Sequence, residues 1–126
     1  MQTENISKIY SILEKIEYIE KNIETNKGIV NALDDAVTTR PAILMLLTGI
    51  SEQFTRLKQK NDTHLLSYFE DQDLKGMQDV RNFIAHEYDG IELAIIEWML
   101  RHALPKLKKQ CQNIITTYET DHIKNR

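Results

Sequence analysis

The stretch NISKIYSILEKIEYIEKNIETN, Asn5 to Asn26, decides the fold. Its apolar residues Ile6, Ile9, Leu13, Ile16, Ile19 and Ile23 recur three or four positions apart, with Glu and Lys filling the gaps. At about 100° per residue this spacing gathers the isoleucines on one side of a helix and the charges on the other. A helix this long with one apolar stripe is stable only when the stripe is covered, so partner helices are required.

The chain beyond it supplies them. Gly28 interrupts the pattern, and Ile29 to Ala36 has room for a further turn or two. Thr38-Thr39-Arg40-Pro41 reads as a helix start, with a hydroxyl to cap and proline at or near the first helical position. A second long helix is expected over 41–60, and its almost wholly apolar Ala42 to Leu47 calls for burial on more than one side. Asn61-Asp62-Thr63 is a second cap, opening a short piece through Leu65, Leu66, Tyr68 and Phe69. Asp71 to Gly76 reads as a polar connection, followed from about Leu74 by a helix with Met77, Val80, Phe83 and Ile84 on one stripe and Gly90 as its stop. The last helix is expected over 91–120, with Ile95, Trp98, Leu104, Leu107, Cys111, Ile114, Ile115 and Tyr118 inward and a kink at Pro105. The expected architecture is therefore all-α, an up-and-down bundle of four to five helices in one domain spanning 1–126, with a loose tail from about residue 120.

Composition agrees. Four glycines and two prolines in 126 residues leave few breaks, and strands receive little support. No apolar run approaches the 18 or so residues that cross a bilayer, and Met1 to Ser7 lacks the basic-then-apolar pattern of an export signal, so a cytoplasmic protein away from the membrane is expected. Cys111 is the single cysteine and falls on a core stripe, which suits a reduced thiol packed as a small apolar group. A net charge of −3 argues against an extended groove that works by neutralising many phosphates. Local basic pockets could draw on Arg56, Lys58 and Lys60, on Arg81, or on Arg101, Lys106, Lys108 and Lys109, each of which also reads as an ordinary solvated helix face.

The densest chemical grammar is Arg81-Asn82-Phe83-Ile84-Ala85-His86-Glu87-Tyr88. On a regular helix Asn82 and His86 share one side with Asp79 close by, while Arg81 and Tyr88 are nearly in line on another, leaving Arg81 and His86 about 140° apart. Three arrangements close that gap: the helix loosens before His86, the long Arg81 side chain curls round, or a second copy of the segment supplies the partner across a dimer axis. The last two acting together are preferred. These residue types suit RNA cleavage. A histidine can take the proton of a ribose 2′-OH or protonate the departing oxygen near neutral pH. An arginine offers permanently charged, planar donors to the phosphate oxygens. Asn82 and Tyr88 can position substrate or imidazole by hydrogen bonding. Spacing alone also fits a helix end with an interior histidine and surface pairs.

Two metal motifs fail on inspection. His86-Glu87 opens like the zinc signature His-Glu-x-x-His, but the second ligand position is Gly90. Asp71 to Gly76 begins like a calcium loop, yet Lys75 replaces a ligand and Asn82 stands where the bidentate Glu belongs. No metal and no cofactor are expected. His64, His102 and His122 have no ligand spacing and are expected at or near the surface.

At Arg81, His86 and Tyr88 the sequence resembles the HEPN superfamily, whose ribonuclease members carry Arg-x-x-x-x-His, and within it the HepT group with Arg-x-x-x-x-His-x-Tyr. Asn82 matches the polar residue that commonly follows the arginine, and Ile50-Ser51-Glu52 and Leu104-Pro105-x-Leu107 extend the likeness over roughly Ile43 to Ile115. The resemblance implies a HEPN-type helical bundle that forms a homodimer with two motifs at a shared cleft, acting as a metal-independent endoribonuclease on RNA. It further implies the toxin of a type VII-like toxin–antitoxin pair, silenced when a minimal nucleotidyltransferase attaches AMP to Tyr88. The rival implication is a non-catalytic HEPN scaffold that pairs with the nucleotidyltransferase without cutting RNA.

Overall fold

The computed structural model of the chain describes residues 3–86, 90 and 92–124, and the elements that follow belong to those residues. The isoleucine pattern becomes α1 (Thr3–Thr25), and Ile9, Ile12, Ile16 and Ile19 are completely buried along it. Ile12 takes the deep position expected of Leu13, which is half-buried. Sealing each of these side chains from water is worth about 1.5–3 kcal/mol, so this stripe anchors the bundle. Lys27 and Gly28 turn the chain with φ of 64° and 132°, backbone values that glycine adopts without steric cost, and α2 (Ile29–Asp34) follows.

The start of α3 (Thr39–Gln59) differs from expectation. Thr38 makes no side-chain cap bond, and Pro41 is the third helical residue. The cap comes from Asp35, whose carboxylate accepts the backbone N–H groups of Val37, Thr38 and Thr39 and the Thr39 hydroxyl at 2.8 Å. These bonds, the Thr39 hydroxyl first, hold the Asp35 carboxyl below its ordinary pKa. Asp62 caps α4 (Thr63–Leu66) by accepting from the Leu65 N–H at 3.0 Å, as the Asn61-Asp62-Thr63 signal predicts.

The helix α5 (Asp71–His86) begins three residues earlier than expected. The supposed polar connection is its first turn, and Asp73 is buried, paired with Lys106 Nζ at 3.1 Å. Helical backbone over 71–76 also rules out the wrapped loop that a calcium site needs. Met77, Val80 and Ile84 are buried as predicted, with Phe83 at the margin.

The C-terminal helix is continuous through α6 (Leu93–Trp98), a π-helical segment (Met99–Ala103) and α7 (Leu104–Lys124). Leu104 N–H reaches back to the Met99 carbonyl, the wider spacing that defines a π turn. The segment ends just before Pro105, which lacks an N–H and crowds the preceding turn. The extra residue shifts the phase of the stripe. Ile96, Met99, Leu100 and Ala103 are buried, while Ile95 and Trp98, expected inward, are 40% and 51% exposed. Leu104, Leu107, Cys111 and Ile114 point inward as expected.

The four long elements alternate in direction. Gln53 Nε2 on α3 donates to Ser11 Oγ on α1, and Asn5 Nδ2 near the start of α1 donates to Asp62 just past the end of α3. Tyr10 donates to Glu119 and Lys108 to Glu20, which sets α7 antiparallel to α1. Among the described residues the fold is thus an all-α antiparallel bundle with α2 and α4 as short connectors, as expected from the HEPN resemblance. No described helix is long and apolar enough to cross a membrane.

Candidate functional site

The end of α5 is where the predicted residues can be placed. Burial of Met77, Val80 and Ile84 fixes the rotation of the helix, and with it the direction of every other position. Lys75, Asp79, Asn82 and His86 then form the opposite, exposed face. Lys75 pairs with Asp79 at 3.0 Å, and Gln78 donates to the Asn82 carbonyl oxygen at 3.1 Å. The Thr55 hydroxyl on α3 lies 3.3 Å from the Gln78 side-chain carbonyl oxygen and shares its one proton between that oxygen and the Ser51 carbonyl at 3.1 Å, so Asn82 is linked to α3 only weakly.

His86 is exposed in the last turn of α5 and has no hydrogen bond to a described residue. Arg81 is half-buried and makes no ion pair or hydrogen bond with any described residue. No hydrogen bond, ion pair or ring contact among the described residues joins the two. Helical geometry persists through His86, so the helix does not loosen to bring them together. Of the three ways to close their angular separation, movement of the arginine and a second copy remain. Tyr88, the predicted target of modification, lies outside the described residues, and so does Glu87.

A cavity of about 540 Å³ opens beside this face between α3, α4 and α5. Phe54, Leu66 and Leu74 give it an apolar floor, and Thr55, Gln78 and Asp79 stand among its polar walls. It occupies the same side of α5 as His86, about two to four turns nearer the helix start. Gln78 and Thr55 were not singled out by sequence reasoning. The signal available for Gln78 was its position four residues before Asn82, the spacing at which helical amides meet.

The remaining histidines and the cysteine have structural surroundings. His64, His102 and His122 are exposed and lie against Tyr68, Trp98 and Tyr118, with ring centroids 5.7, 5.4 and 4.0 Å apart. Burial pushes the Cys111 thiol up to about 12, which removes the thiolate that redox chemistry would need. Among the described residues, no three His, Cys, Asp or Glu side chains gather as metal ligands do.

A helical bundle with Arg81 and His86 at the end of its third long helix agrees with the HEPN resemblance of the sequence. The comparison with protein families is more specific: the family model "Ribonuclease HepT-like" matches residues 10–114, and the chain belongs to this HepT-like ribonuclease family. No curated protein and no solved structure gives a significant match.

Proposed function

We propose that the chain is a metal-independent endoribonuclease, the toxin of a type VII-like toxin–antitoxin pair, with His86 and Arg81 as its catalytic residues. The observation that carries the reading is the family match over 10–114 taken with an exposed, unengaged His86 on the outer face of α5. In this mechanism an imidazole takes the proton of a ribose 2′-OH, and the freed oxygen attacks the adjacent phosphorus. The bond to the 5′-oxygen breaks, and that oxygen leaves with a proton from an imidazolium or from water. The products are a 2′,3′-cyclic phosphate and a 5′-hydroxyl. Arg81 neutralises the charge that builds on the phosphate oxygens, and Asn82, held by Gln78, positions the substrate. Because α5 stays helical through His86, a homodimer that pairs His86 of one copy with Arg81 of another assembles both functions at one phosphate.

Regulation in this proposal is by a minimal nucleotidyltransferase that joins AMP to Tyr88. The transfer forms a phosphodiester between the Tyr88 oxygen and the α-phosphate of ATP and releases pyrophosphate. The added negative charge and adenine oppose RNA binding beside Arg81 through both charge and volume. The test is cleavage of cellular RNA in EDTA with end-group analysis of the products, before and after incubation with the nucleotidyltransferase and ATP. Cyclic-phosphate ends that vanish as the chain gains the mass of AMP are expected, and Tyr88→Phe is expected to cleave while escaping the silencing. Strict dependence on Mg²⁺ would overturn the mechanism. Binding of the nucleotidyltransferase without any cleavage would instead establish the scaffold.

A further inference from the structure

The sequence holds two runs of cations away from Arg81, and the structure treats them differently. On the C-terminal helix Arg101 pairs with Glu97, Lys106 with Glu70 and Asp73, and Lys108 with Glu20, while Lys109 forms no ion pair with any described residue. Arg56, Lys58 and Lys60, at the end of α3, form no ion pair with any described residue. Arg56 and Lys60 line a cleft of about 600 Å³ between α1 and α3, and Lys8 enters it from α1. Its other walls are Ser7, Ser11, Gln53 and Gln59, so three positive charges converge there with no carboxylate among the lining side chains, in a chain whose net charge is −3.

The hydroxyl of Ser11 is oriented as well. Its oxygen accepts from Lys15 Nζ at 2.7 Å and from Gln53 Nε2 at 3.3 Å. With both lone pairs engaged, its remaining capacity is to donate, as a hydroxyl carries one donor and two acceptor sites. Cations near a helix C-terminus ordinarily offset the helix dipole, which accounts for Arg56 and Lys58 but not for Lys8 and Ser11, which come from another helix. The ligand chemistry is therefore an anion with several acceptor oxygens, a phosphate or phosphodiester.

The position of the cleft indicates which phosphate. Gln53, Arg56, Gln59 and Lys60 line one side of the end of α3, while Thr55 and Lys58 line the cavity beside the His86 face on the other. Lys58 thus stands on the cavity side and Arg56 and Lys60 on the cleft side, so cations flank the end of α3 on both sides. We infer that this cleft binds backbone phosphates of the RNA strand at a distance from the scissile bond, the strand passing from the α5 face over Lys58 to Arg56, Lys60 and Lys8. The inference rests on the ribonuclease reading for its substrate.

The test is binding of a fluorescent single-stranded oligonucleotide with 2′-O-methyl riboses, which cannot be cleaved, to the full chain over a range of salt concentrations. Each phosphate contact on a single strand contributes about 0.7 to the slope of log K against log salt. Lys8→Gln/Arg56→Gln should lower the slope by roughly 1.4 and weaken binding about tenfold at low salt. Lys21→Gln/Lys27→Gln, the same charge change on exposed lysines elsewhere, should leave the slope unchanged. Equal losses in both variants, or no loss in the first, would overturn the inference. ATP titrated alone supplies the mononucleotide arm: Arg56-dependent binding of ATP without Arg56-dependent binding of the strand would also overturn it. A chain that never cuts RNA but shows the expected slope change would refute the ribonuclease reading and leave the cleft standing, whereas cleavage with an unchanged slope would do the reverse.

Discussion

The two faces of α5 obey different rules. On the inner face Met77, Val80 and Ile84 are buried among side chains from other helices. Among the described residues, Lys75 meets Asp79 and Gln78 meets Asn82 within the helix on the outer face, Thr55 approaches Gln78 from α3, and His86 makes no hydrogen bond or ion pair. The inner face holds the helix in place, and its residue types are fixed by volume and apolarity. The outer face adds little to stability, and for that reason can carry chemistry. Stability and activity should accordingly separate between residues only a turn apart.

The largest expected separation is at the helix end. His86→Ala should lower RNA cleavage by about 10²–10⁴-fold, the usual worth of positioned proton transfer, with Tm unchanged by thermal melting. Arg81→Ala should lower cleavage comparably. A loss of fold in both would show that the motif is structural and erase the distinction between the faces.

Met77→Ala is the converse and tests the inner face. It should cost about 2–5 kcal/mol of unfolding free energy in urea melts, while the folded fraction retains its cleavage rate. If the variant melts like the parent, the inner face does not anchor α5.

A smaller effect is expected at the boundary between the two. Gln78→Ala removes the donor to Asn82, a bond worth about 1 kcal/mol, and should slow cleavage several-fold with circular dichroism unchanged. An unaffected rate would remove Asn82 from the positioning role.

The smallest effect sharpens the comparison from outside α5, at another polar group placed by local bonds. Asp35→Ala should lower Tm modestly at pH 7. The folded Asp35 pKa is depressed below its ordinary value of 3.8. Its contribution is therefore present above that value and is lost as pH falls through the folded pKa. The Tm difference between Asp35→Ala and the parent should then narrow in acid below about pH 4; a gap that persists there would show that the Asp35 carboxylate is not the cap.

Much of the bundle could be read from the chain because its signals are local. The α1 stripe, the break at Gly28, the Asp62 cap and the inner stripe of α5 each follow from a few neighbouring residues. The readings that failed depended on partners. Asp35 displaced Thr38 as the cap because its carboxylate reaches three N–H groups at once. Asp73 looked like a loop residue, and only Lys106 on a distant helix makes its burial tolerable. Ile95 and Trp98 were set inward by regular periodicity, which the π turn at Met99–Ala103 breaks.

At the candidate site the division is the same. Residue types and spacing alone determined an all-helical chain, with an amide and a histidine on one side of a helix and an arginine about 140° from the histidine, because periodicity converts spacing into direction. Only the tertiary structure decided which cations are neutralised and which converge. Arg56 and Lys106 look alike in the chain, but an ion pair depends on what another helix brings within about 4 Å. That distance is set by packing, which no local pattern encodes.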